Sequence, residues 1–451
     1  MAKKTIKYTK IELENYSDIV AEPQYDMWFN NGENERNEEG TLRVLSLFSG
    51  CGGMDLGLEG GFICHKNSVT NPNWVREQVN DNWILLNRNR FRTVFACDIL
   101  EEARLTWLKY MSRYHVTPDI YHLESIVDLV KLDKKLGNVF PRNIDVVTGG
   151  FPCQDFSVAG KRMGFDSYMS HDGTKRSKQD EPSEETRGKL YMWMKQTIDS
   201  VQPKVFVAEN VKGLVTLGEV KRIIQQDFST ANGNDYIVLA PQVLHAGNYG
   251  VPETRERVIF IGIKRSELRP DALHALEQET IPDKYNPYPK PTHNFNVNNG
   301  DLPSPVSCRD VLGELPEPEN SADLSHQTFS GAKYLGNGSQ GQTEINIDGL
   351  GPTIRSEHHG NIEFRRLSAE HGGKHTDELN RGLKERRLSP RECALIQTFP
   401  PDYPFVFRKM DSKRYAVSPS GAYKVIGNAV PPVLAFNIAK RLEEVWPLYF
   451  G

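Results

Sequence analysis

Strand-like and helix-like runs alternate from residue 43 to residue 228, and this rhythm limits the possible folds more than any other feature of the chain. RVLSLF (43–48) leads through Gly50-Cys51-Gly52-Gly53 into a helical run carrying Leu56 and Leu58. TVFAC (93–97), IDVVT (144–148) and KVFVA (204–208) repeat the pattern, with helices expected over 101–112, 188–200 and 216–228. Such alternation predicts an α/β fold whose parallel sheet is covered on both faces. Two more apolar runs, 236–246 and 257–263, are separated by Gly247-Asn248-Tyr249-Gly250 and suggest a hairpin at the sheet edge.

The rhythm divides the 451 residues. Residues 1–40 are polar and read as an arm and linker; 41–263 carry the α/β pattern. Residues 62–92, rich in Asn and holding Trp74 and Trp83, interrupt it as an insertion. From 264 to 385 the texture turns to Pro, Asn and Gly, marking a second, smaller domain. The α/β character returns over 386–451: Ser389-Pro390-Arg391-Glu392 predicts a capping box with proline at the first helical position. A last helix is expected from Pro431-Pro432 to about Val445.

Composition mostly excludes. The start Met1-Ala2-Lys3-Lys4 lacks a secretory apolar run, and no segment reaches membrane-spanning length, so a soluble cytoplasmic protein without membrane contact is expected. The six cysteines show no Cys-x-x-Cys spacing, which argues against both a disulfide framework and structural zinc, and no metal is expected. A net charge of −4 gives no general attraction to nucleic acid.

Several strand ends carry chemistry. The turn Gly50 to Gly53 can offer backbone N–H groups to a nucleotide-like cofactor, but Asp55 stands where the dinucleotide fingerprint needs its third glycine. Asp98 ends the second strand, where doubly wound folds hold a ribose; a helix-starting acid is the plainer alternative. Gly149-Gly150-Phe151-Pro152-Cys153-Gln154 follows the third strand and presents the Cys153 thiol on a turn stiffened by Pro152. Ala208-Glu209-Asn210 ends the next strand, so Glu209 is expected to reach the same pocket; surface exposure for Glu209 and a helix N-cap for Asn210 are the bland readings. The polar stretch 154–186, with Lys161 and Arg162, reads as a lid.

Taken in order, FSGCGGMDLGLE (48–59), GGFPCQDFS (149–157), AENVKGL (208–214), NYGVPETRERVIFIG (248–262), RRLSPRECALIQTFP (386–400) and IGNAVPPVLAFNIAKRL (426–442) resemble the motif blocks of the bacterial-type DNA cytosine-5 methyltransferases. The resemblance implies a Rossmann-like sheet that uses S-adenosylmethionine. Phe48, Ser49, Gly50 and Gly52 would lie around the cofactor with Pro152, Asp98 on its ribose, Ser125 and Ile126 near its adenine, and Asn428 and Ala429 closing the site. Where the family often has an acid near the adenine, this chain has Glu124-Ser125-Ile126.

By the same resemblance Cys153 is the nucleophile that attacks the target base. Glu209 neutralises the charge developing on it, and Arg255 and Arg257 brace it, with surface cations the alternative for that pair. Glu253 stands where the family commonly has glutamine. The substrate would be double-stranded DNA with its cytosine flipped out, bound by a monomer of a restriction-modification system. Residues 264–385 would read flanking bases, with Arg355, Arg365 and Arg366 as candidate guanine contacts; His358 and His359 beside them are not expected to bind metal. Three rival readings remain: a transfer-RNA-directed branch of the same family, a non-catalytic binding member, and a nicotinamide-dependent oxidoreductase, which Asp55 disfavours.

Overall fold

The computed structural model describes residues 40–152, 189–216, 220–295, 300–336, 339–356, 361–410 and 412–451. The arm 1–39, Cys153 with the stretch 154–186, and His358 and His359 lie outside the described residues.

Strand β1 (Leu42–Leu47) leads into helix α1 (Gly53–Glu59). The insertion follows as strands β2 (Ile63–His65), β3 (Val75–Gln78) and β4 (Trp83–Leu86). Next come β5 (Phe91–Cys97), α2 (Glu101–Met111), β6 (Tyr121–His122), α3 (Ile126–Leu136) and β7 (Val146–Gly150). The series continues with α4 (Leu190–Val201), β8 (Val205–Val211), α5 (Val220–Ser229), β9 (Tyr236–Val238), β10 (Gln242–His245) and β11 (Glu256–Lys264).

Among the described residues, eight strands form one sheet in the order β10-β11-β8-β7-β1-β5-β6, with β9 also paired to β11. The pairs from β8 through β6 are parallel, and β11 runs antiparallel to β8, β9 and β10. The run 236–246 is therefore two short strands, interrupted near Pro241, which has no N–H to give a ladder. Both pair with β11 rather than forming one long hairpin arm.

Two apolar clusters cover the two faces. Val44 packs into one with α1 and α2, while Leu45 and Leu47 pack into the other with α3 and α4. This explains why β1 reads as a continuous apolar run rather than an alternating one. The insertion folds as a small antiparallel sheet, β2-β4-β3, and Trp74 meets Phe436 edge to face.

Beyond β11 the chain is mostly irregular until the expected capping box. Ser389 and Glu392 cap helix α6 (Pro390–Ile396) reciprocally, with Pro390 at the helix start. Helices α7 (Pro419–Asn428) and α8 (Pro432–Tyr449) complete the chain.

Helix α8 lies against α1 at a distance that only glycine permits. A Cβ on Gly57 would fall 2.4 Å from the Ala435 Cβ and 2.5 Å from the Pro432 carbonyl oxygen. Backbone cannot yield as a flexible side chain can, so Gly57→Ala is expected to destabilise the protein by about 1–3 kcal/mol. A denaturant titration that shows an unchanged midpoint would contradict this contact.

Candidate functional site

The carboxyl ends of β1, β5, β7 and β8 open into a cavity of about 940 Å³, bordered on its far side by the end of α7 and by residues 353–356. Such a crevice is where open α/β sheets bind ligands, and its size is at the upper end for a small-molecule pocket.

The first wall is built by the turn after β1. Phe48 holds a left-handed backbone, φ 52°, which is rare for a large side chain and clusters at functional sites. The Ser49 hydroxyl donates to the Ser46 carbonyl and accepts the Cys97 N–H, each at 3.1 Å, tying β1 to β5. Asp98 accepts the N–H groups of Gly50 and Leu100, both at 3.0 Å. Burial pushes the Asp98 carboxyl up, opposed by the N–H groups of Leu100, Gly50 and Ile99 and by the charge of Lys424. Each carboxylate oxygen keeps a lone pair for a further donor such as a hydroxyl.

Phe48, Ser49, Gly50, Asp98, Ser125, Ile126, Pro152, Asn428 and Ala429 all border the cavity. Ser125 caps α3 by accepting the Val127 N–H, which places Ile126 on the wall at the helix start.

Gly52 does not border the cavity. Its left-handed backbone, φ 85°, packs against Trp107, where a Cβ would fall 2.6 Å from the indole. Asp55 is explained by the same contact: its carboxylate accepts the Trp107 N–H at 2.7 Å, and burial raises it to about 6.

The reactive side is built by β7, β8 and β11. Parallel pairing sets Gly150 opposite Glu209, three residues before Cys153. Glu209 and Arg257 are both about nine-tenths buried, and the carboxylate lies 2.5 Å from the guanidinium Nε. Strand β8 extends through Glu209 and Asn210, so Asn210 is not a helix cap. Its amide donates to the Phe151 carbonyl at 3.2 Å and pins the chain two residues before the thiol. The strand-end position expected for Asn210 is thus observed, whereas its contact with the Phe151 carbonyl carries no signal in the sequence.

Arg255 differs from Arg257. It does not line the cavity and is fully buried beneath it, where desolvation and the nearby charge of Arg257 push its guanidinium down to about 10. Regular strand structure begins only at Glu256, so the alternation that relates the two arginines does not fix their depth.

Two expected guanine contacts also prove internal. Arg366 is fully buried between Glu317, at 3.1 Å, and Glu378, at 2.5 Å. Arg365 pairs with Glu378 at 2.7 Å. Partial burial alone would raise Glu317, but hydrogen bonds from Arg386 and Arg366 carry it down to about 2, as befits a half-buried acid shared by two arginines. Arg355 does reach the cavity wall, with one nitrogen held by the Asn361 carbonyl and by Glu363, both at 2.9 Å.

The five described cysteines are buried and free, and desolvation raises all their thiols, Cys308 to about 12. Among the described residues no cluster could hold a metal ion, and no helix is long and apolar enough to cross a membrane.

Residues 42–444 match the family model described as C-5 cytosine-specific DNA methylase. The chain is 30% identical to the Type II methyltransferase M.BsuRI of Bacillus subtilis over 419 residues, covering 91% of this chain and 80% of that protein. It is 32% identical to the Type II methyltransferase M.BspRI of Lysinibacillus sphaericus over 415 residues, covering 89% and 82%. The structure of S. pombe Dnmt2 methyltransferase superposes with a TM-score of 0.52 at 16% identity, over 89% of this chain and 98% of that one, a likeness of fold alone.

Proposed function

The chain belongs to the C-5 cytosine-specific DNA methylase family, and from that premise we propose that its cavity brings a flipped-out cytosine of duplex DNA to Cys153. It is a DNA cytosine-5 methyltransferase that uses S-adenosylmethionine. The observation that carries the finer reading is the Glu209–Arg257 pair on the cavity wall, in register with the strand that leads to Cys153.

The wall fits the cofactor: a half-buried acid at Asp98, backbone turned sharply at Phe48, and apolar surface at Ile126. Phe48, Ser49, Gly50, Asp98, Ser125, Ile126, Asn428 and Ala429 would hold it. When bound, S-adenosylmethionine supplies the electrophilic methyl group.

The chain's own residues do the rest. Cytosine's carbon 5 is a poor nucleophile, so the Cys153 thiolate forms a bond to carbon 6, and the displaced double-bond pair makes carbon 5 reactive. Glu209 shares a proton with ring nitrogen 3 and so offsets the charge that develops on the base. Arg257 fixes the direction of the Glu209 carboxylate through its guanidinium. The displaced pair forms the new carbon–methyl bond; a water molecule then takes the carbon-5 proton, the pair of the broken carbon–hydrogen bond restores the ring double bond, and the carbon–sulfur pair leaves with sulfur as the thiolate. Asn210 holds the Phe151 carbonyl and so sets the path of the nucleophile's turn.

In this reading residues 264–385 form a target-recognition domain that reads flanking bases, while 41–263 and 386–451 together form the catalytic domain. Arg355 is the reading side chain that the wall retains. The protein acts as a cytoplasmic monomer and protects DNA from a partner restriction enzyme, a role suggested by the Type II relatives.

Bisulfite sequencing of DNA from cells expressing the chain tests the reading. The expected result is complete methylation of cytosine in one short sequence context. Methyl transfer to RNA only would overturn it.

A further inference from the structure

Residues 252–255, just before β11, are zipped to residues 351–354 in the recognition region. Gly351 donates its N–H to the Pro252 carbonyl at 2.9 Å and accepts the Thr254 N–H at 2.8 Å. The Thr353 hydroxyl donates to the Thr254 carbonyl at 2.8 Å. At the end of the zipper lie two fully buried charges, Glu253 and Arg255, 3.5 Å apart. Glu253 accepts the Ile354 N–H at 2.6 Å.

The Arg255 guanidinium then spans two walls of the cavity. One nitrogen donates to the Ile354 carbonyl at 2.9 Å, and the other to the carbonyls of Gly427, at 2.9 Å, and Ala429, at 2.7 Å. The two walls also touch directly: a Cβ on Gly427 would fall 2.1 Å from the Arg355 carbonyl carbon. Ile354 and Arg355 belong to the recognition region, whereas Asn428 and Ala429 stand on the cofactor side, and all four border the cavity.

We propose that Arg255, oriented by Glu253, is a positioning residue that locks the recognition segment 351–356 to the cofactor wall 427–429, so that DNA and cofactor each tighten the binding of the other. The proposal rests on the cavity being where cofactor and target meet. Water cannot replace a carbonyl's bond to a buried guanidinium without cost, so a displacement of either wall strains the other. A ligand that fixes one wall thereby lowers the cost of fixing the second, which is positive coupling and must be reciprocal.

The test measures the affinity of S-adenosylhomocysteine, the demethylated cofactor, with and without a duplex carrying the sequence that the enzyme methylates. The unmodified protein is expected to bind it at least about fivefold more tightly with the duplex, the low end of usual coupling. Arg255→Lys keeps the charge but cannot reach three carbonyls, and it should reduce that ratio to less than about twofold, with a change of less than about threefold in the affinity without DNA.

Glu253→Gln keeps an acceptor for the Ile354 N–H and should retain most of the ratio; Glu253→Ala should lose it and serves in place of Arg255→Lys should that variant fail to fold. A folded Arg255→Lys with the full ratio would overturn the clamp, as would equal losses of affinity with and without DNA, or an unmodified protein with no coupling. Failure of the unmodified protein to bind S-adenosylhomocysteine at all would instead overturn the reading of the cavity, and the clamp with it.

Discussion

Cys153→Ser is expected to lower the rate of methyl transfer on the order of 10⁴- to 10⁶-fold, the scale seen when an enzyme loses its covalent nucleophile. A serine hydroxyl is not ionised near neutral pH and has no base assigned to activate it, so carbon 6 of the cytosine goes unattacked. DNA affinity should stay within a few-fold, since affinity for a duplex comes mainly from charged contacts to its phosphates, which neither a thiol nor a hydroxyl in place of it supplies. Single-turnover transfer of labelled methyl to a duplex, with binding measured in parallel, checks both halves. A variant that binds normally and still turns over within about tenfold of the parent would remove Cys153 from the chemistry.

Glu209→Gln is the second large effect, with an expected fall in kcat of about 10²- to 10⁴-fold, the range of a general acid–base contribution. The amide can still accept from Arg257 and fill the same space, so the fold should survive. It cannot share a proton with ring nitrogen 3, so charge builds on the base unrelieved. The loss should fall on kcat more than on KM for DNA. The reverse split would make Glu209 a binding residue and leave the neutralising role to another group. Removing the carboxylate altogether with Glu209→Ala should cost stability as well, because it leaves Arg257 about nine-tenths buried without its partner.

How much of this was legible in the sequence can be seen residue by residue. The parallel sheet followed from the alternation of apolar runs, and the adjacency of Glu209 to the turn before Cys153 followed from strand ends converging at one edge. Depth was not legible. Arg255 and Arg257 are separated only by Glu256, yet Arg257 borders the cavity while Arg255 is sealed beneath it by carbonyls from residues 354, 427 and 429.

Pairing over long separations was equally hidden. Arg366 looked like a DNA contact because its acids, Glu317 and Glu378, are 49 and 12 residues away. The role of Asn210 was open for a local reason: Glu209 and Asn210 are polar, so the apolar pattern stops before them although the strand continues to Val211, and a helix N-cap stood as an alternative until the strand was seen. The strands of the insertion escaped notice because β3 and β4 have four residues each, too few for a period to register among so many asparagines.

The central claim is a covalent bond between Cys153 and the target base, and fluorine at carbon 5 tests it most directly because it cannot leave as a proton. A duplex with 5-fluorocytosine at the methylated position, incubated with the protein and S-adenosylmethionine, should give a complex that survives denaturation. Peptide mass spectrometry should place the modified nucleotide on Cys153, and Cys153→Ser should form no such complex. A denaturation-stable complex that persists in Cys153→Ser, or an adduct mapped to another residue, would contradict the account.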